Sequence, residues 1–380
     1  MTFFVTLFST ILVVCGNVNF TNLSRYSELN EKTYRRHFEA GFEFARFNQQ
    51  LSEVSIPPEH EVLAVMDASF IRKSGKATFG IDRFWNGSAS RVERGLEVSL
   101  VGMVDVERET GYALSAQQTL AQDDCPDGSR LDQALHHLHR TRPQLPKRVK
   151  YLAVDGAYAK TTFINGTVAL NLHGITKLRC DANLKFLYTG EQKRRGRPRK
   201  YDGKVDLQDF SRFTFVEAIE PGVSLYTALV WSVAWSRPIR LAYLVDCRDP
   251  NRPRYVVLCS TDTEQDAKEI YRLYRLRFQI EFIFRDAKQF TGLEDCQARS
   301  CAKLQFHFNA AFTTLNLAKL DALQHHSSDQ PFVFSMASVK RRAFNEYLLN
   351  QFIHKLELDP TSIKSHPNYS TLCEHGIIAA

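Results

Sequence analysis

Two short apolar runs constrain this chain more than any other feature. Residues 61–67 (EVLAVMD) and 149–155 (VKYLAVD) each end on an aspartate, Asp67 and Asp155. Runs of this length and composition read as buried strands. A carboxylate after such a run is costly unless something pairs with it, and α/β folds place their sites at the carboxyl ends of strands. Two such acids on neighbouring strands repel unless a cation lies between them. A hard divalent ion with oxygen ligands meets that demand. The alternative for each aspartate is a cap on the following turn or helix.

The flanking pattern supplies the rest of a sheet. Strands are predicted over 96–106 and 111–120, joined by a tight turn at Glu109-Thr110-Gly111, and over 174–181. Leu131, Ala134, Leu135 and Leu138 recur at helical spacing and predict a helix over 129–140, with another after Asp155. Three strands, a helix, a strand, a helix and a strand is the element order of an RNase H-like α/β fold. Between 183 and 261, Val, Tyr, Phe and Trp dominate, which predicts a β-rich insertion. The period becomes helical at Ala267, with helices expected over 267–290, 302–323 and 339–352. The first 50 residues also read as helices, and Pro57-Pro58 closes that region. The expected organisation is a helical region (1–55), the first part of the core (56–182), the insertion (183–261), the second part of the core (262–325) and a helical tail (326–380).

At 44% hydrophobic and 24% charged residues, the 380-residue chain is excluded from the disordered and fibrous classes. Its net charge is +7, but six positive charges lie in 193–200 (KRRGRPRK): Lys193, Arg194, Arg195, Arg197, Arg199 and Lys200. The remainder carries only +1, so the basicity is a local patch suited to a polyanion. Arg195-Gly196-Arg197-Pro198 resembles the core of an AT-hook, whose arginines lie in a narrow minor groove. The alternatives are a phosphate clamp or a solvated loop. Eight cysteines without a Cys-x-x-Cys pair argue against a disulfide scaffold or a zinc finger and suit a reducing compartment.

The apolar run 3–14 predicts a buried helix, with a targeting segment as the alternative. No Lys or Arg precedes Arg25, and the run falls short of the roughly 20 residues that span a bilayer. Residues 33–38 predict a basic helix with Tyr34 and Phe38 on one side. With the preceding turn it outlines a helix-turn-helix offering Lys32, Arg35 and Arg36 to DNA, or else a small bundle with a solvated basic face. In the basic, glycine-containing stretch 70–97, Lys73, Lys76 and Arg83 are candidates to meet a DNA strand. Trp85 either packs in the core or stacks on an unpaired base. His307 and Asn309, on the late helix, are expected to bond within the core.

On a continuous helix over 267–290, Tyr274, Arg277, Glu281 and Lys288 share an arc of roughly 60°. The simple alternative is an Arg277–Glu281 ion pair on a solvated face. The helix is otherwise apolar, however, so a polar stripe fits a cleft better. The spacing Tyr274-x2-Arg277-x3-Glu281-x6-Lys288 resembles the Tyr-Arg-Glu-Lys signature of bacterial insertion-sequence DDE transposases, the cut-and-paste type with a β insertion before the catalytic Glu. The acids follow in the same order, Asp67, Asp155 and Glu281, 88 and 126 residues apart, and the resemblance covers residues 60–325.

That resemblance implies an RNase H-like core and a DNA transposase that cuts element ends and joins them to target DNA. Asp67, Asp155 and Glu281 would hold two Mg²⁺ ions, with Mn²⁺ as the substitute, and Tyr274, Arg277 and Lys288 would position phosphates. The implied partner is double-stranded DNA, held by a homodimer in a synaptic complex, with no membrane, in a bacterial cytoplasm. The competing expectations are an RNase H-like nuclease that does not transfer strands and a DNA-binding protein without catalysis.

Overall fold

The computed structural model describes residues 2–121, 125, 128–209, 211–249, 252, 254–326 and 332–378. Its centre is β1 (Val62–Arg72), which pairs antiparallel with β3 (Arg91–Asp105) on one side and parallel with β5 (Tyr151–Val154) on the other. Beyond them lie β4 (Thr110–Thr119), antiparallel to β3, and β6 (His173–Lys177), parallel to β5. The order β4-β3-β1-β5-β6, with three antiparallel strands followed by two parallel ones, is the RNase H-like arrangement expected from the sequence.

Strand alternation explains how helices cover both faces. Val62, Ala64 and Met66 pack towards α5 (Arg130–Thr141) and α6 (Thr161–Ala169), with Ala134, Leu138 and Phe163. Leu63 and Val65 pack towards α8 (Gln279–Phe290) and α9 (Cys301–Gln324), with Ile283, Phe284 and Phe312. The β-rich segment does not build a sheet of its own. Its last strand, β12 (Arg254–Ser260), pairs with β6 through Cys259↔Thr176. β11 (Arg237–Asp246), β10 (Val223–Ser232), β7 (Leu184–Leu187) and β8 (Tyr201–Lys204) follow outwards, and β9 (Thr214–Glu220) pairs with β10. Among the described residues, twelve strands thus form one sheet.

The structure departs from the sequence pattern in three places. Asp67 was expected at the end of its strand, yet β1 continues five residues past it, because β3 goes on pairing as far as Arg72↔Gly95. An additional strand, β2 (Asp82–Asn86), pairs with the start of β3 and carries Trp85. The continuous helix expected over 267–290 is two helices, α7 (Ala267–Leu276) and α8, broken at Arg277-Phe278. There the amides of Arg277, Phe278, Ile280 and Glu281 donate to carbonyls only three residues back, a tightened 3₁₀-like turn.

At the N-terminus, α1 (Thr2–Val13) buries Leu7, Phe8 and Ile11. No helix among the described residues is long and apolar enough to cross a membrane. α2 (Phe20–Arg25), α3 (Glu31–His37) and α4 (Phe44–Ser55) follow. Tyr34 and Phe38 are buried on the inner side of α3, and Lys32, Arg35 and Arg36 are exposed.

A helix completes the free edge of β4. The Asn309 side chain on α9 accepts from the amide of Ala116 (3.0 Å) and donates to its carbonyl (2.9 Å). Asn316 does the same for Ala113, at 3.0 and 2.7 Å, and Gln305 bonds Gln118 and Ala116. These amides stand in for a neighbouring strand and cover an edge that invites aggregation. His307 bonds the Gly292 carbonyl at 2.7 Å, so both late-helix residues bond within the core. Asn316→Leu should strand two buried backbone groups of β4 and cost about 2–4 kcal/mol. Urea unfolding against wild type measures this; a loss below about 0.5 kcal/mol would rule out the surrogate-strand role.

Candidate active site

Three elements converge on one cleft of about 880 Å³, lined by Asp67, Asp155 and Glu281 together with Trp85, Glu97, Arg130, Tyr158, Arg285 and Lys288. Asp67 and Asp155 meet through strand register. The parallel ladder of β1 and β5 ends at Met66↔Val154, and the next residue on each strand is the acid. β5 stops there, so beyond Met66 β1 is paired only on its β3 side, and the cleft opens along the other. Glu281 arrives from the first turn of α8, which lies close against the sheet. A Cβ on Gly111 of β4 would sit 3.0 Å from Ile283 Cδ1 and 3.1 Å from Gln279 Cβ, so the lack of a side chain there admits the helix.

Arg277 links the acids. Its side chain is buried at the break between α7 and α8, with Nη1 3.5 Å from Asp67 Oδ2 and Nη2 donating to Glu281 Oε1 at 3.1 Å. Its guanidinium also lies 5.7 Å from the Tyr274 ring and 4.8 Å from the Phe278 ring. The Arg277–Glu281 pair of the simple alternative therefore forms, but with Arg277 buried and Glu281 lining the cleft. Burial is the main cause that lifts Asp67 to about 6, reinforced by Asp155 and Glu281 and opposed by the amide of Ala68 and by Arg277. Lys288, on the same face, donates to the Phe70 carbonyl at 2.7 Å and pairs with Glu294 at 3.5 Å. Burial holds its ammonium below the usual lysine range.

The donor chemistry fits a hard divalent ion. The cleft presents four carboxylates, Asp67, Asp155, Glu281 and the Arg130-bonded Glu97, and Asp67 is held protonated up to about pH 6 by burial and by its acidic neighbours, a condition that a bound cation relieves. A tighter carboxylate–imidazole cluster, His60, Asp105 and Glu107, lies near the opposite end of β1. There His60 bonds Asp105 at 2.8 Å, and Arg108 approaches the other carboxylate oxygen at 3.7 Å, so Asp105 already has protein partners. A larger cavity of about 1120 Å³, lined by Phe4, Phe8, Phe47 and Val339, contains none of the three acids.

Other residues singled out in the sequence lie elsewhere. Lys73, a candidate to meet a DNA strand, donates its ammonium to the Cys296 carbonyl and lines a separate groove with Arg35, Arg299 and Lys303. Arg36 and Lys76 are exposed and line neither the cleft nor that groove. Residues 193–200 form the exposed tip of the β7–β8 hairpin at the far end of the sheet. Trp85 is 54% exposed at the cleft mouth, not in the core.

Glu97, Arg130 and Tyr158, not singled out in the sequence, also line the cleft. Glu97 is buried in β3 and bonds Arg130, at 3.1 Å through Nε. Tyr158 is held neutral well above its ordinary range by burial and by Asp67, Glu97 and Asp155. Glu97 did carry a signal, as an acid inside an apolar strand run (LEVSLVGMV), the same sign that marked Asp67.

An RNase H-like sheet with an acidic cleft at the end of β5 is the class that fold and site define. The transposase DDE domain matches residues 59–317, more than half of the sequence, and the chain belongs to that family. No curated protein matches it significantly. Membership implies metal-dependent DNA cleavage of the transposase type and the use of a divalent cation.

The raised Asp67 links stability to pH. Its folded value of about 6 lies above the ordinary carboxylate value of about 3.9. The stability it contributes is therefore fully present below about pH 4 and lost as pH rises through 6. In metal-free buffer, Asp67→Asn should be more stable than wild type above pH 6, by roughly 2–3 kcal/mol, and no more stable below about pH 4. Unfolding curves across pH measure this; parallel profiles for the two proteins would contradict it.

Proposed function

We propose that this protein is a cut-and-paste DNA transposase that cleaves at the ends of a mobile element and joins those ends to target DNA. The observation that carries the proposal is the convergence of Asp67, Asp155 and Glu281, from two adjacent strands and a helix, on one cleft. Two divalent ions, Mg²⁺ or Mn²⁺, held by these three residues would supply the Lewis acidity that activates the attacking oxygen and stabilises the leaving one. The other residues orient the DNA around that centre.

Arg277 holds Asp67 and Glu281 in place, and its charge keeps the cleft from being purely repulsive. Tyr274, Arg277 and Lys288 carry the spacing that resembles the Tyr-Arg-Glu-Lys signature; we assign them to phosphates at the element end. Arg130, braced by Glu97, adds a cation on the opposite wall, and Trp85 offers an exposed ring for stacking on a base. Arg35, Lys73, Arg299 and Lys303 converge on one groove of about 790 Å³, a second path for the DNA backbone. Arg36, Lys76 and the basic hairpin tip extend the contact surface. The active form is a homodimer that holds two DNA ends.

The test is cleavage of DNA carrying this gene with its native flanks, by purified protein in Mg²⁺ or Mn²⁺. Cuts at both flanks and joined products are expected, with Asp155→Asn and Glu281→Gln reducing the rate by at least about 10³-fold. Mg²⁺ should raise the melting temperature of wild type and not of Asp155→Asn. Nicked DNA without joined product would instead identify a nuclease, and DNA binding without any cut would leave a binding protein.

A further inference from the structure

The basic tip of the β7–β8 hairpin stands apart from the cleft. Seven strand steps separate β1 from β8 in the sheet. At about 4.8 Å per step this is on the order of 30 Å, close to one turn of duplex DNA at about 3.4 Å per base pair. A DNA contact here is thus made at a site different from the phosphodiester that reacts.

The tip is built to present arginines. At its base, the Gln192 side chain donates to the Arg199 carbonyl (2.8 Å) and accepts from the Arg199 amide (2.8 Å), while the Tyr188 amide donates to the Lys200 carbonyl (3.0 Å). Arg199 is committed to this clasp: it pairs with Asp202 at 2.6 Å and lies 4.6 Å from the Tyr188 ring. Between the two ends of the clasp, Lys193, Arg194, Arg195 and Arg197 are exposed, and no acidic partner among the described residues pairs with them.

Gly196, between Arg195 and Arg197, has φ +101°, and an added Cβ would meet nothing within 4 Å. Packing within the protein therefore does not require a glycine there. A positive φ favours glycine, and the missing side chain lets the backbone approach a surface closely. Pro198 then removes an amide donor and stiffens the exit from the turn. Two arginines flanking a bare backbone suit the minor groove, about 6 Å wide, where A·T tracts narrow the groove and deepen its negative potential.

We propose that this hairpin tip inserts Arg195 and Arg197 into the narrow minor groove of an A·T-rich duplex, about one helical turn from the reacting phosphodiester. The proposal rests on the DNA-acting function above and adds the sequence feature that the protein reads at this second site. Lysine keeps the charge but lacks the planar arginine fork and is more strongly hydrated, so the conservative double variant separates groove insertion from a simple phosphate clamp.

The experiment measures binding of the full chain, by fluorescence anisotropy, to short duplexes that share flanks and carry either a central A-tract or a G·C block. The A-tract should bind at least ~10-fold more tightly, netropsin should displace it, and R195K/R197K should lose the preference while retaining its affinity for the G·C duplex. Equal affinity for the two duplexes would overturn the proposal and leave the transposase reading standing. So would a preference that survives in R195K/R197K, since a point charge would then suffice. Capture of anionic vesicles that depends on these arginines, with no duplex discrimination, would assign the tip to a membrane surface. Failure to bind any duplex would remove the DNA-acting function as well.

Discussion

The parallel pairing of β1 with β5 places Asp67 beside Asp155, and the placement of the rest of the cleft follows from the need to tolerate that pair. Neighbouring carboxylates at a half-buried strand end are mutually unfavourable. Arg277 offsets part of the cost from within the protein, reaching both Asp67 and Glu281 from the turn between α7 and α8. The compensation is incomplete, since Asp67 remains raised to about 6. A bound cation would stabilise a site held in this condition, and the proposed metal binding would then be coupled to the ionisation of Asp67.

Positioning Glu281 is a separate problem, and packing solves it. α8 approaches the sheet over Gly111, and α9 lies along β4 with Asn309 and Asn316 bonded to its backbone. The helix that carries the third acid is therefore held against β4, a strand that contributes no acid to the cleft. The break at Arg277-Phe278 serves the same geometry. It lets Arg277 turn inward while Phe278 stays half exposed.

Much of this was legible in the chain. Strand periodicity and the acids that close two apolar runs predicted β1, β5 and the order of the RNase H-like core. The polar residues on an otherwise apolar helix marked Tyr274, Arg277, Glu281 and Lys288 as one cleft-facing stripe; of these, Glu281 and Lys288 line the cleft, while Arg277 is buried and pairs with Glu281. The extent of β1 was not legible, because its length past Asp67 is set by pairing with β3. The break between α7 and α8 was not legible either. Its sequence contains no Pro or Gly, and the turn is stabilised by contacts of Arg277 with residues on β1 and α8.

Local pattern by itself determined the kind of elements, the three acids, the location of the basic patch and the resemblance that goes with them. These follow from short-range chemistry: alternation and helical period, the cost of burying a charge, and runs of like charge. Tertiary structure alone decided that the β-rich segment extends the core sheet through β12 and β6, that Lys73 lies outside the acidic cleft, and that Glu97 and Arg130 line it. Those outcomes depend on which strand edges pair and which faces pack. Such contacts join residues far apart in the chain, and no local spacing encodes them.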